Sequence, residues 1–184
     1  MRRKGSGIER RFVVVSGVPG SGKTTLARLL APALGLTLLD KDAILERLFE
    51  SRGRGDAAWR RALSRESDSI FQAEALASGG AVLVSHWHLP GMPEDSGTPT
   101  GWLRELNAVQ IHCVCDSEVA ARRFVERTRH AGHRDGSRSY VEILESICAV
   151  ASCGPLNLGR RVDVDTSQRL DLERLIPEIH SLIG

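Results

Sequence analysis

Short apolar runs alternate with amphipathic stretches along most of the chain. The apolar runs, which predict strands, cover residues 13–16, 36–39, 81–85, 109–115 and 161–165. Between them, apolar residues recur at helical spacing, as Leu26, Leu29 and Leu30 do. Strands that alternate with helices form a parallel sheet covered by helices on both faces. We therefore expect an α/β fold with three layers, α/β/α, around a five-stranded parallel sheet.

Local signals set the expected ends of several helices. Gly35 should close the first helix, and Pro32 and Pro177 should kink or interrupt the helices that contain them. Ser117 can cap the helix after the fourth strand. The main predicted helices cover residues 23–34, 43–50, 59–78, 141–150 and 170–183.

The length of the chain indicates one domain, and its charge gives no support for binding to nucleic acid or to a membrane. The 184 residues suit a single domain over 11–184, preceded by a flexible basic tail, 1–10. A net charge of +2 is too small to favour nucleic acid or an anionic membrane. The apolar run at 12–15 is too short for a signal-peptide core or a membrane span. Oligomeric state stays open between monomer and homodimer.

The four cysteines fit no common zinc spacing and are expected to be buried free thiols. They are Cys113, Cys115, Cys148 and Cys153. Free thiols favour a reducing compartment, so we expect a cytoplasmic protein.

The stretch "GVPGSGKTT" follows the first strand and has the composition of a phosphate-binding loop. Its glycines permit unusual backbone angles, and the next helix directs amide N–H groups and a positive dipole at the same space. Lys23 adds a charge, and the Thr24 hydroxyl can bind Mg²⁺; the spacing matches G-x-x-x-x-G-K-[ST]. The predicted ATP ligands here are Gly17, Pro19, Gly20, Ser21, Gly22, Lys23, Thr24 and Thr25.

Asp42 follows the second strand, at the edge of the sheet where ligands of such folds bind. A carboxylate there can accept the proton of an acceptor hydroxyl, cap the following helix, or reach Mg²⁺ through water. No N-K-x-D guanine motif is present, which favours ATP. The third strand ends in Ser85-His86 rather than in an acid, which disfavours a hydrolytic motor.

Two arginines precede a polar segment that can fold over nucleotide as a lid. Arg123 and Arg127 are four residues apart and are expected to share one helix face. Their guanidinium groups suit phosphate oxygens, and Arg127 is the favoured catalytic contact. For Arg122 and Arg129 the favoured interpretation is a solvated face that pairs with Glu118 and Glu126.

Four stretches together resemble the small P-loop kinases, which include chloramphenicol phosphotransferase-like, gluconate kinase-like and polynucleotide kinase-like proteins. The stretches are "GVPGSGKTTLARLLAPALG", "LLDKDAILERL", "CDSEVAARRFVERTR" and "VDVDTS". The resemblance implies the P-loop NTPase fold with a helical lid, here at about 123–140. It also implies Asp42 as catalytic base, Lys23 and Thr24 on phosphate and Mg²⁺, Arg123 and Arg127 on the ATP phosphates, and Thr166 near the adenine.

The third strand departs from these relatives, which often end it "VVVD", whereas this chain has "VLVSHWHLP". The acceptor is expected to meet Asp42 and Ser85, His86, Trp87 and His88, with Arg134 from the lid. Trp87 can instead pack in the core. The His-x-His pair lacks a visible third ligand for a metal.

The predicted activity is therefore ATP- and Mg²⁺-dependent transfer of the γ-phosphoryl group to a hydroxyl of a small molecule, such as an antibiotic or a sugar. One alternative acceptor is a polynucleotide 5′-hydroxyl, which an aromatic content of 4% disfavours. The other alternative is a non-catalytic ATP-binding regulatory module.

Overall fold

A computed structural model describes residues 11–133 and 138–184. The predicted tail, 1–10, and Arg134 lie outside the described residues. Five parallel strands form one sheet in the order β2-β3-β1-β4-β5. The strands are β1 (Arg11–Gly17), β2 (Thr37–Asp40), β3 (Gly80–Val84), β4 (Val109–Val114) and β5 (Arg161–Asp165). The predicted α/β fold with a five-stranded parallel sheet is confirmed.

Within the described residues, six α-helices connect and follow the strands. They are α1 (Lys23–Ala33), α2 (Lys41–Arg52), α3 (Ala57–Ala77), α4 (Ser117–Glu126), α5 (Tyr140–Ser152) and α6 (Leu172–Ile183). Two short 3₁₀ turns, Gly101–Leu106 and Ala131–His133, lie in the longer connections.

The core lies on both faces of the sheet because alternate side chains of each strand point to opposite sides. On one face Val13 and Val15 pack with α1 and α6, in a cluster that includes Leu26 and Ile179. On the other face Phe12 and Val14 share a cluster with Phe71 of α3. Burial of each such side chain contributes roughly 1.5–3 kcal/mol, so both helical layers are held firmly against the sheet.

Two predictions about helix interruption and capping, at Pro177 and Ser117, differ from the structure. Pro177 lies inside a continuous α6. The backbone carbonyl that it leaves unpaired belongs to Glu173, an exposed residue of the first turn, so water can take the place of the missing N–H. Asp116, not Ser117, caps α4, because its carboxylate accepts hydrogen bonds from the amides of Glu118 and Val119 at 2.9 and 3.1 Å.

All four cysteines are free thiols, as predicted, but they are not all buried. Cys113 is buried in the sheet, Cys115 and Cys153 are half-buried, and Cys148 is exposed on α5, so the prediction of burial holds for Cys113 alone. Within residues 11–133 and 138–184, no helix is both long and apolar enough to cross a bilayer.

Candidate active site

The phosphate loop connects β1 to α1, and three glycines shape it. Gly17, Gly20 and Gly22 have φ angles of +138°, +80° and +87°, which L side chains rarely adopt. A Cβ atom on Gly20 would overlap the backbone carbonyl oxygen of Ala120 in α4. A Cβ atom on Gly17 would lie 2.7 Å from the Ser21 hydroxyl. The loop therefore needs glycine both for its backbone angles and for its close approach to α4.

The loop leaves polar groups without protein partners, as an anion site requires. Helix α1 begins after Gly22 with no side-chain cap and with no acidic residue in its first turn. The Ser21 hydroxyl is buried, and it has no hydrogen-bond partner among the described residues. Unpaired first-turn amides and the helix dipole favour phosphate at this position. The residues present therefore fit a polyphosphate.

Lys23 folds back over the loop. Its Nζ donates to the carbonyl oxygens of Gly17 and Val18, both at 2.8 Å. Burial lowers the pKa of Lys23 to about 8, although the nearby charge of Asp42 opposes the shift. No described carboxylate forms an ion pair with Lys23, and a bound polyphosphate would supply an anionic partner.

Thr24 and Thr25 follow in the first turn of α1, and Thr25 is exposed whereas Thr24 is half-buried. Among the described residues, no group of three His, Cys, Asp or Glu side chains could hold a metal ion. Mg²⁺ commonly keeps several waters and uses few protein ligands beside substrate phosphates. The Thr24 hydroxyl therefore fits a Mg²⁺ that is held mainly by nucleotide.

The carboxylates of Asp40 and Asp42, at the start of α2, make different contacts. Asp40 caps the helix, because its Oδ1 accepts a hydrogen bond from the amide of Asp42 at 3.0 Å. Asp42 is therefore not the cap, and its carboxylate pairs with the guanidinium group of Arg129. Burial would raise the pKa of Asp42, but the charges of Arg129 and then His133 outweigh it and lower the pKa. Asp42 is held as an anion.

Residues 128–133, here called the docked segment, pack on one face of α2. That face carries Asp42, Glu46 and Phe49, which are spaced by four and three residues. Arg129 binds Asp42, and His133 Nε2 lies 2.8 Å from Glu46 Oε1. The ring of His130 stacks on Phe49 with a centroid distance of 5.5 Å. The prediction that Arg129 belongs to a solvated face is wrong.

Arg123 supports the phosphate loop from the β5 side. Its guanidinium group donates to the carbonyl of Thr166 at 2.9 Å, and the Thr166 hydroxyl donates to the carbonyl of Ser21 at 2.6 Å. Both residues predicted to bind ATP thus lie against the loop, linked to it by hydrogen bonds. Their contact with nucleotide remains a prediction.

Arg127 does not share a helix face with Arg123, contrary to expectation. Helix α4 ends at Glu126, and Arg127 follows in an extended conformation. Its guanidinium group lies over the ring of Phe124, 4.0 Å from the centroid. The four-residue spacing from Arg123 therefore does not determine where the Arg127 side chain points. Arg122 pairs with Glu118 at 3.8 Å on an exposed face, as predicted.

Two of the residues expected to meet the acceptor fasten the loop that follows β3. The Ser85 hydroxyl hydrogen-bonds Thr98 at 2.6 Å, and Thr98 donates to Asp68 at 2.7 Å. His88 Nδ1 lies 2.7 Å from the carbonyl oxygen of Ser96. The side-chain polar groups of Ser85 and His88 are thus engaged by the protein.

Trp87 packs in the core, where it is 3% exposed and donates from Nε1 to the carbonyl of Val15 at 2.8 Å. Trp87 and His86 also line a cavity of about 180 Å³ beside the start of the phosphate loop. Burial, followed by the charge of Lys23, lowers the pKa of His86 to about 4. Sequence reasoning missed Ser16 and His112 in the same wall. The signal available for them is a polar residue near the carboxyl end of an otherwise apolar strand.

Comparison with known proteins shows similarity to an AAA domain and to kinases. A family model described as an AAA domain matches residues 12–89. A shikimate kinase of Corynebacterium glutamicum is 42% identical over 75 residues, 39% of this chain and 43% of the relative. A shikimate kinase of Mycobacterium ulcerans is 34% identical over 115 residues, 62% of this chain and 58% of the relative. The chain spans about half the length of these curated relatives.

The solved structure of a candidate kinase from Chloroflexus aurantiacus J-10-fl matches over almost the whole chain. The TM-score is 0.75 at 26% identity, and the match covers 96% of this chain and 100% of the other. These comparisons confirm the resemblance to the small P-loop kinases.

Proposed function

We propose that the protein is an ATP-dependent kinase that transfers the γ-phosphoryl group to a hydroxyl of a small molecule, such as an antibiotic, a sugar or a related metabolite. The observation that carries the proposal is the pairing of a complete phosphate loop with an ionised carboxylate, Asp42, whose charge acts on Lys23 of that loop. A binding loop alone suits any nucleotide protein. The carboxylate adds the group that an alcohol acceptor requires.

Similarity to proteins with named activities supports the reaction class. The curated relatives are shikimate kinases, and the Chloroflexus structure is a candidate kinase. None of these names fixes the acceptor of this chain.

The residues of the chain account for each part of the transfer. The loop amides and Lys23 hold the phosphates of ATP, with the terminal phosphorus directed toward Asp42. The Asp42 carboxylate accepts the proton of the acceptor hydroxyl while that oxygen bonds to the γ-phosphorus. The bond from the γ-phosphorus to the bridging oxygen breaks, and ADP leaves with the electron pair. Lys23 and Arg127 stabilise the charge on the transferring group.

Mg²⁺ held at Thr24 and the nucleotide would neutralise phosphate charge. Arg123 and Thr166 keep the loop in place from the β5 side through their hydrogen bonds to each other and to Ser21. The docked segment brings Arg129 onto one carboxylate oxygen of Asp42, while the side chain stays 46% exposed, so a hydroxyl can approach the carboxylate beside the arginine. Closure of the segment over bound ligands would exclude water and limit wasteful hydrolysis.

Incubation with γ-³²P-ATP, Mg²⁺ and a panel of hydroxylated metabolites, antibiotics and a short oligonucleotide tests the proposal. We expect label in at least one small molecule and none at the oligonucleotide 5′ end. Lys23→Met should abolish transfer because it removes the charge at the phosphates. Arg28→Met, which removes a charge from an exposed residue of the same helix, is the matched control. Labelled oligonucleotide, or ATP that binds but is neither hydrolysed nor transferred, would contradict the proposal.

A further inference from the structure

We propose that the acceptor is an uncharged alcohol about the size of one substituted ring, and that it sits in the cavity formed by Ser16, His86, Trp87, His112, Ala151 and Leu156. This inference rests on the proposed function, since it names the class of molecule that the kinase would phosphorylate.

The cavity limits the size of the acceptor. Its volume is about 180 Å³. An apolar cavity of roughly 150 Å³ accommodates benzene, whereas drug-sized ligands occupy roughly 300 Å³ or more. A single ring with a short substituent therefore fills the cavity, whereas a nucleoside or a longer chain would extend beyond its rim.

The cavity wall also limits the charge of the acceptor. No described residue of the wall is Asp, Glu, Lys or Arg. Its two histidines are His86, with a pKa lowered to about 4, and His112, with a pKa lowered by burial. Both imidazoles are therefore neutral near pH 7. The described wall residues would give a carboxylate here no charged partner, so any water that it gave up would be replaced by neutral groups, which is costly.

Polar groups in the wall suit a hydroxylated ligand. The Ser16 hydroxyl lies 3.0 Å from His112 Nδ1 and 2.8 Å from the side-chain amide of Gln110. No described residue hydrogen-bonds His112 Nε2 or the ring of His86. Both imidazoles are half-buried and face the cavity, so these nitrogens are available to donate to or accept from a ligand hydroxyl. Trp87 and Leu156 offer apolar surface for the rest of the ring.

The cavity lies beside the point of transfer. Gly17 and Val18 form part of its wall, and their carbonyl oxygens are the two that bind Lys23 Nζ. His86 is close enough to Lys23 and Asp42 for both charges to influence it. A hydroxyl that projects from the cavity past His86 therefore approaches the loop and the carboxylate.

Matched probes test the charge requirement by binding, independently of catalysis. Benzyl alcohol and 4-(hydroxymethyl)benzoate differ by one carboxylate. We expect benzyl alcohol to shift the NMR signals of the His112 ring and the Trp87 indole, and to bind at least tenfold more tightly than the benzoate. Equal or tighter binding of the benzoate, or shifts at neither residue, would overturn the inference.

A pair of variants on one helix tests the location. Ala151 lies at the exposed rim of the cavity, whereas Ala149 is exposed on the same helix outside the wall. Ala151→Trp should raise the Kd of benzyl alcohol at least tenfold and spare ATP binding, and Ala149→Trp should change neither. Equal effects of the two variants would overturn the location.

Transfer assays with the same probes separate the inference from the proposed function. Neutral ring alcohols that bind in the cavity without ever receiving phosphate would contradict the proposed function at this site and leave the cavity's preference intact. Phosphorylation of carboxylated acceptors in preference to their neutral counterparts would support the kinase and overturn the inference.

Discussion

Arg129 donates a hydrogen bond to the carboxylate of Asp42 across 87 residues of sequence. The contact joins the segment after α4 to the start of α2. It also gives the proposed catalytic base a cationic partner that is only 18% exposed. The docked segment therefore changes the charge environment of Asp42.

Replacement of Arg129 should raise the pKa of Asp42. Burial favours the neutral carboxyl, and the charge of Arg129 is the first of the influences that lower this pKa. In Arg129→Gln we expect the Asp42 titration, followed by carboxyl ¹³C NMR, to move to higher pH. Arg122→Gln removes the same charge from an exposed pair with Glu118 and is the control. An unchanged Asp42 titration in Arg129→Gln would show that the contact is not maintained in solution.

Gly20 should tolerate alanine less well than Gly35 does. Both glycines have positive φ, +80° and +64°, but only at Gly20 would a Cβ meet another backbone, that of Ala120. Gly35→Ala should cost about 1–2 kcal/mol from backbone strain alone. Gly20→Ala adds overpacking of about 1–3 kcal/mol.

Urea unfolding and ATP titration distinguish the two contributions. We expect ATP affinity to fall at least tenfold in Gly20→Ala and to stay within threefold in Gly35→Ala. Similar losses of stability and affinity in both variants would refute a close contact between the loop and α4.

The sequence contains most of the information for the sheet and the phosphate loop. Both arise from local patterns: short apolar runs that alternate with amphipathic helices, and glycines at fixed spacing before Lys23. The docked segment has no such local pattern. Its contacts join Arg129 and His133 to α2, and each spans 87 residues.

Arg127 shows why helical spacing alone misplaces a side chain. The spacing from Arg123 implies one face only while the helix continues, and α4 ends at Glu126. The cavity was equally hard to predict, because its wall combines the ends of β1 and β4, the loop after β3, and the end of α5 with the residues after it. Ser16 and His112 become neighbours only when β1 and β4 pair, which places these two residues opposite each other.

His86 should make the fold less stable as the pH falls. The pKa of His86 is lowered from 6.5 to about 4, chiefly by burial. The unfolded chain therefore binds a proton at a higher pH than the folded protein does. Its full contribution to stability is present above pH 6.5 and is lost as the pH falls toward about 4. The expected loss is on the order of 3 kcal/mol.

Urea unfolding of wild type and His86→Asn at several pH values isolates this contribution. The unfolding free energy of wild type minus that of His86→Asn should become smaller as the pH falls from 6.5 toward 4, because only wild type has the buried histidine. His180→Asn, at an exposed position of α6, controls for the removal of a histidine. A difference that stays constant with pH would exclude a lowered pKa at His86.

The most direct test compares ATP binding with phosphoryl transfer in Asp42→Asn, with Asp40→Asn as the control. Asparagine caps helices about as well as aspartate, so Asp40→Asn should keep both properties within a few-fold. Asp42→Asn should bind ATP with similar affinity but transfer phosphate roughly 10²–10⁴-fold more slowly, because the proton acceptor is gone. Full transfer by Asp42→Asn, or an equal loss in both variants, would contradict the central role of this carboxylate.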